Sequence, residues 1–493
     1  MVQRTSDNRI NLLLESFLQT LNQKQIENPA IFDWVQSFSG IPIDIFGTVY
    51  ENFRSQKPAE RKADGVYYTP KYIVDYIIEN TVGKLVKGKT PQEVTKIKIV
   101  DPACGCGVFL WGAYQFLLGW HKDYYTRNKH LSKESKNSLV TSSGELTLAE
   151  KKRILLNNIF GVDIDVNAVE IAKFSLLLKC MEGETSASVE NTQRLFHTKV
   201  LPSIDDNILV GNSLIDTDYY ELPLEDDDTK KIKPFNWRRA FPQVFSPSTA
   251  GTGSTGFDAV IGNPPYVMLQ MLSTRNAFNY CLEHFVAAKY KIDTYQLFLE
   301  RGIQLLTKRG KLGVITPNTY LKNIHAEQLR KLILAETVIK NIVVIQHNVF
   351  GAVSVDTSIS IFEKGQATKR NRILVSRSSS LNADKEVSYF EPKTVQRIRQ
   401  YNFTENVRYD FNLFISESDK AVLDKIAKNA YRIGMFCDAY FGIQTFDREQ
   451  YVTKTKRGKN YQPAIDGANI EPYHLKPAAE FGAAAGYFSE RCR

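Results

Sequence analysis

Asn263, Pro264, Pro265 and Tyr266 follow directly on the apolar run FDAVIG, residues 257–262. Prolines cannot donate to a sheet ladder, so this pair ends a strand and holds the next residues in a fixed, extended geometry. A neutral carboxamide beside a proline carbonyl makes two acceptors aimed at one spot. Such a pair suits an exocyclic amino group with its two N–H bonds, and Tyr266 offers a flat face for the ring that bears the amine. The stiffness has a purpose. Acceptors fixed before the ligand arrives leave no ordering cost to the transition state.

Two more stretches place chemistry at strand ends. In IVDPACGCGVFLWGAY, residues 99–114, a strand ends in Asp101, a turn with Gly105 and Gly107 follows, and a helix begins. This is the strand, glycine turn and helix by which nucleotide-like ligands are held, although its spacing is not the dinucleotide G-x-G-x-x-G. In NNIFGVDIDVNAVEIA, residues 157–172, a strand ends at Asp163, where a carboxylate can accept hydrogen bonds from ribose hydroxyls. Helix capping is the competing role, and it suits Asp165 better than Asp163. In GVYYTPKYIVDYI, residues 65–77, a helix is expected to open at Pro70 with Thr69 as its cap.

The elements that position these residues alternate. Strands are expected in TKIKIV, NIFGVDI, NILVGN, FDAVIGN, GKLGVITP, VIKNIVVI and TSISIFEKG. Helices are expected between them, in VFLWGAYQFLL, AVEIAKFSLLLKCM and TYQLFLERGIQLLTKR. Buried strands joined by amphipathic helices imply an α/β sheet, parallel in the main. Residues 122–144 and 246–256 are polar or Gly/Ser/Thr-rich and read as surface insertions. Three regions are expected: a helical lead-in over 1–64, a central domain over 65–400, and a further domain over 401–493 with short β-like runs and basic turns. The final AAEFGAAAGYFSERCR offers no fold-closing element, so the last domain is expected to be incomplete.

At 493 residues, the chain is long enough for two or three domains. A net charge of +9 points to a polyanionic partner. No apolar run reaches membrane-spanning length, and the N-terminus lacks the plan of a secretory signal. The six cysteines are scattered without a disulfide pattern, which implies a reducing cytoplasm. Cys104 and Cys106 have no companion ligands nearby, so no metal site is expected.

Together GVYYTP, DPACGCG, GVDID, VGNSL and GNPPY closely resemble, in content and order, the gamma-order S-adenosylmethionine-dependent DNA adenine-N6 methyltransferases. The likeness covers about residues 65–365, and Cys106 stands where that family usually has Ser. It implies a Rossmann-like methyltransferase sheet with helices on both faces. It also implies direct methyl transfer to a flipped-out adenine of double-stranded DNA, with neither a cysteine nucleophile nor a metal. Carried over by position, Tyr68 and Thr69 cover the methionine end of the cofactor. Asp101, Ala103, Gly105 and Gly107 line its turn, and Asp163 with Ile164 meets the ribose end. Asn212 takes the place of an Asp that contacts the cofactor's adenine. Asn263 and Pro264, stiffened by Pro265, hold the target amine, while Tyr266 and Phe350 pack on the flipped base.

The flanks extend this resemblance. The region from about 405 resembles the start of a target-recognition domain, and the lead-in resembles the connector of Type IIG restriction–modification enzymes. No convincing nuclease carboxylate–lysine cluster precedes it, so a methyltransferase without its own cleavage activity is expected, with a separate or fused restriction nuclease as its partner. Two alternatives stay open: N-P-P-Y methylation of RNA or of a protein glutamine, and a non-catalytic DNA-recognition subunit of a defence system.

Overall fold

The protein is described here by a computed structural model covering residues 69–128, 139–184, 202–221, 232–245, 255–269, 274–289, 293–345, 356–378, 395–415, 417–431, 435–437, 452–456, 461–465, 469–471, 474–478 and 480–483. The lead-in, Tyr68 and Phe350 lie outside these residues. The chain divides into two compact units, one running to Ile415 and the other starting at Ser416.

The first unit is built on a sheet whose strands are β1 (Ile99–Asp101), β2 (Ile159–Asp163), β3 (Ile208–Val210), β4 (Phe257–Gly262), β5 (Leu306–Pro317), β6 (Thr337–Ile345), β7 (Thr357–Lys364), β8 (Arg372–Ser378) and β9 (Gln396–Arg399). Their order is β3-β2-β1-β4-β5-β7-β6-β8-β9. From β3 to β5 every pairing is parallel, and β7 runs antiparallel between β5 and β6. Its longer helices are α1 (Lys71–Asn80), α2 (Val108–Arg127), α3 (Leu148–Asn158), α4 (Val166–Met181), α5 (Arg275–His284), α6 (Thr294–Leu305) and α7 (Glu327–Glu336).

Strand alternation sends side chains to two separate cores. Ile99, Ile159, Ala259, Ile261 and Ile315 pack with α1 to α4 on one face. Val100, Phe160, Val162, Val260, Leu312 and Val314 pack with α5 to α7 on the other. Burial on both faces explains why these strands read as nearly continuous apolar runs. At β1 the chain has neighbours on both sides, β2 and β4, and the path reverses between them. The carboxyl ends of β1 and β4 therefore flank the crevice where open α/β sheets bind ligands.

Helix α1 lies close on the sheet. A Cβ on Gly313 of β5 would come within 2.5 Å of Thr81 Cγ2 and 2.9 Å of Ile77 Cγ2. Its buried Ile73, Val74, Ile77 and Ile78 each contribute on the order of 1.5–3 kcal/mol. Contrary to expectation, Thr69 does not cap this helix. Pro70 is the N-cap residue and no side chain bonds the first turn.

The change of texture near residue 400 does not end the first unit. Gln400 donates to the Thr337 carbonyl and accepts from Ile339 N–H, both at 2.8 Å, while Phe403 and Phe411 are fully buried. The buried Arg330 of α7 donates to the carbonyls of Tyr320, Asn323 and Arg408 and pairs with Asp410 at 3.0 Å. These contacts hold residues 400–410 against α7 and β6. Helix α6 also ends earlier than the sequence suggests, because Leu306 already pairs with Phe257 of β4.

The second unit contains α8 (Glu417–Asn429), a three-stranded antiparallel sheet and a two-stranded one. Its strands are β10 (Val452–Thr453), β11 (Tyr461–Ala464), β12 (Ile470–Glu471), β13 (His474–Leu475) and β14 (Glu480–Ala483). β14 lies between β10 and β11, so Glu480–Ala483 is the central strand of the three-stranded sheet. Among the described residues no helix is long and apolar enough to cross a membrane.

Candidate active site

The glycine turn is held from below by two carboxylates. Asp101, at the end of β1, is 1% exposed, and its Oδ1 accepts Ala103 N–H at 3.0 Å. Asp163, at the end of β2, accepts Gly105 N–H through Oδ2 and Asp165 N–H through Oδ1, each at 2.8 Å. Asp165 caps α4 by accepting Asn167 N–H at 3.0 Å, which leaves Asp163 for the turn as the sequence suggests. Gly107 adopts φ +86°, and a Cβ there would sit 2.9 Å from Ala172 Cβ. Only glycine meets both demands. Cys106 is partly buried against Ala168 and Ile171, a packing role that Ser or Cys could fill.

Burial pushes the Asp101 carboxyl up to about 8; the Ala103 N–H opposes this and the Asp163 carboxylate adds to it. The folded protein therefore keeps a proton that the unfolded chain releases near pH 4. Since the folded state binds more protons, this group's contribution to stability falls as pH rises from about 4 to about 8. Asp101→Asn should flatten that dependence. Between pH 5 and 8, the wild-type Tm should drop by about 3 °C or more beyond any drop in the variant, measured by differential scanning calorimetry.

The Asn-Pro-Pro-Tyr corner begins one residue after β4. A Cβ on Gly262 would lie 2.6 Å from Asp101 Oδ1, so this glycine lets the corner abut the turn. Asp101, Ala103, Gly262 and Pro264 line a common crevice. The Asn263 carboxamide is engaged at both ends. Its Nδ2 donates to Thr69 Oγ1 at 3.1 Å, and its Oδ1 accepts the Tyr266 hydroxyl at 2.5 Å. The Tyr266 hydroxyl also lies 3.2 Å from the Ile315 carbonyl, and its ring meets Tyr295 edge-on at 6.2 Å.

Sequence reasoning missed the clamp on this corner. Thr294, the first residue of α6 and 4% exposed, donates its hydroxyl to the Pro265 carbonyl at 2.8 Å and accepts Val267 N–H at 3.3 Å. Its own N–H donates to the Val267 carbonyl at 2.8 Å. The apolar spacing of TYQLFLERG locates the helix, but no pattern marks its first threonine as a partner of a distant loop. Thr294→Val should leave two part-buried backbone groups, Pro265 C=O and Val267 N–H, without this partner and cost about 1 kcal/mol in urea unfolding. Thr294→Ser should keep most of that stability.

The third edge of the site is Asn212. Its Oδ1 accepts Leu214 N–H at 3.0 Å, and its backbone N–H donates to the Lys233 carbonyl at 2.8 Å. Lys233 in turn donates from Nζ to the Ile164 carbonyl at 2.9 Å, stitching Asn212 to the end of β2. Ile164 itself is 44% exposed beside Asp163. The fold thus gathers Thr69, Asp101, Ala103, Gly105, Gly107, Asp163, Ile164, Asn212 and Asn263 to Tyr266 around the carboxyl ends of adjacent strands. Lys233 and Thr294 join them unforeseen.

Residues 157–350 match the family described as Eco57I restriction-modification methylase. The chain is 34% identical over 312 residues to the Type II restriction enzyme and methyltransferase RM.Eco57I of Escherichia coli, covering 60% of this chain and 29% of that protein. It is 23% identical over 317 residues to the adenine-specific methyltransferase PglX of Streptomyces coelicolor, covering 61% and 23%. Over 269 residues it is 25% identical to the Type II methyltransferase M.BstVI of Geobacillus stearothermophilus, covering 55% and 36%. The resemblance carried by the motifs is borne out. The chain spans between 23% and 36% of the length of these relatives.

Proposed function

We propose that this chain is the methyltransferase part of a restriction–modification enzyme and transfers the methyl group of S-adenosylmethionine to the exocyclic N6 of an adenine in double-stranded DNA. The observation that carries the reading is the Asn263 carboxamide beside the Pro264 carbonyl, locked in place next to the glycine turn at the reversal point of the sheet. The match of residues 157–350 and the adenine-specific relatives support it.

The residues fit the cofactor. Asp163 accepts two backbone N–H groups, and a carboxylate has about four lone-pair sites, so it retains capacity for ribose hydroxyls. Half-exposed Ile164 offers an apolar surface beside it. Glycines at 107 and 262 keep side chains out where the backbone must come close. When bound, S-adenosylmethionine supplies a methyl group activated by its sulfonium.

An adenine amine is a weak nucleophile because its lone pair is delocalised into the ring. Asn263 Oδ1 and the Pro264 carbonyl accept its two N–H bonds, which favours a more tetrahedral nitrogen with its lone pair out of the ring plane. Among the described residues no hydrogen bond takes the Pro264 carbonyl. In the resting structure the Tyr266 hydroxyl takes one of the two lone pairs of Oδ1, and turning the Tyr266 ring to stack on the base would draw that hydroxyl away. The Ile315 carbonyl, 3.2 Å away, gives that hydroxyl another acceptor, which lowers the cost of that move. The freed Tyr266 ring then serves as a stacking face for the base.

The target atom is out of reach inside a duplex, so the base must be flipped out. The second unit, from Ser416, would contribute to target recognition, with Lys and Arg side chains on phosphates. The restriction context implies a nuclease acting with this chain, fused or separate. Incubation with methyl-labelled S-adenosylmethionine and, in parallel, unmethylated DNA, RNA and glutamine-containing peptides tests the reading. Label is expected in DNA alone; label confined to RNA or peptide would overturn it.

A further inference from the structure

We infer that Thr69 is a positioning residue for Asn263: its hydroxyl oxygen accepts the Asn263 Nδ2–H and thereby keeps Oδ1 turned toward the target amine. The inference rests on the proposed adenine methylation and adds a role to a residue so far placed only against the cofactor.

A carboxamide has an acceptor end and a donor end, and the two are nearly identical in shape. A neutral amine offers its target face only N–H donors to Asn263. Oδ1 must therefore point at the amine, and Nδ2 must point away to an acceptor of its own. Thr69 Oγ1, 3.1 Å from Nδ2, is that acceptor. With the carboxamide reversed, N–H groups would face N–H groups and the target would lose a hydrogen bond.

Tyr266 cannot hold this orientation through the reaction. Its hydroxyl bonds Oδ1 only until the Tyr266 ring turns to stack on the base. Of these two hydroxyl contacts, the one with Thr69 survives that turn. It is also a fixed contact. Thr69 is 3% exposed and adjoins Pro70, the N-cap of α1, and α1 is seated on β5 with no room at Gly313. The hydroxyl makes no capping bond that would compete. Thr69 and Asn263 are 194 residues apart in sequence, so the contact joins the start of the domain to its catalytic corner.

The test uses the full chain as wild type, Thr69→Val, Thr69→Ser and Thr69→Ala. Single-turnover methyl transfer to DNA is measured at saturating S-adenosylmethionine, with cofactor Kd from calorimetry and folding from Tm. Valine keeps the shape and removes the acceptor, so the rate should fall about tenfold or more, the equivalent of one lost hydrogen bond. Alanine should show a similar loss, and serine should stay within about threefold of wild type. If valine and alanine raise only the cofactor Kd and leave the saturated rate unchanged, Thr69 merely covers the cofactor and the inference fails. Serine as poor as valine would also overturn it, because the methyl group rather than the hydroxyl would then matter. A wild-type chain that methylates no DNA would sink the functional reading and this inference with it.

Discussion

Asn263→Ala is expected to lower the rate of methyl transfer by about 10²–10³-fold while leaving S-adenosylmethionine affinity within about threefold. The side chain stands at the end of β4 with both ends of its carboxamide hydrogen-bonded, so its position is set before any substrate arrives. Its loss removes one of two acceptors that act on the amine, and the interaction strengthens as charge develops on the nitrogen. Such an interaction affects kcat more than KM. Of the cofactor residues, Thr69 bonds Asn263, but Asp163, Gly105 and Gly107 hold the turn through contacts that do not involve it, which is why binding should survive. Stopped or single-turnover kinetics beside calorimetry would separate the two effects. A variant that loses both together would place Asn263 in cofactor binding instead.

Asp163→Ala should have the second largest effect, a weakening of S-adenosylmethionine binding by about 10²-fold. Two losses combine. The ribose hydroxyls lose a charged acceptor, and the N–H groups of Gly105 and Asp165 lose the carboxylate that orders the turn around them. Some loss of stability should accompany it, about 1–3 kcal/mol, because those backbone donors are left unpaired. Asp163→Asn keeps an acceptor and should fall between alanine and wild type. Calorimetric titration with the cofactor decides the matter; an unchanged Kd in Asp163→Ala would remove Asp163 from the cofactor site.

Much of this arrangement is legible in the sequence because it depends on local rules. Strands β1 to β7 read as apolar or β-branched runs, since burial on both faces suppresses polar alternation. The glycine turn, Asp163 and the Asn-Pro-Pro-Tyr corner stand out because each needs residue types that ordinary strand ends do not. Strands β8 and β9 are not legible in the same way, as their exposed positions carry Arg372, Arg377, Arg397 and Arg399 and break the apolar run. The end of the first unit is missed for a related reason. Gln400, Phe403 and Phe411 are fixed by β6 and by the neighbourhood of Arg330, far away in sequence.

The residues that hold the site in place were equally hidden. Thr294 looks like a helix start, Lys233 like a surface base and Thr69 like a cap. Their actual partners, Pro265 and Val267, Ile164, and Asn263, come from chain folding rather than spacing. A sequence can reveal which residues could do the chemistry, while the hydroxyls and carbonyls that orient them emerge only in three dimensions. Thr69 shows this most clearly, since its side chain leaves the first turn of α1 uncapped and meets the catalytic carboxamide instead.

The central claim is that the corner at Asn263 methylates the adenine N6 of DNA. Its most direct test is nucleoside mass spectrometry of unmethylated double-stranded DNA after incubation with the full chain and S-adenosylmethionine, with Asn263→Ala as control. The account predicts N6-methyl-2′-deoxyadenosine that disappears in the control. A different methylated nucleoside, or N6-methyladenine that persists in Asn263→Ala, would contradict it.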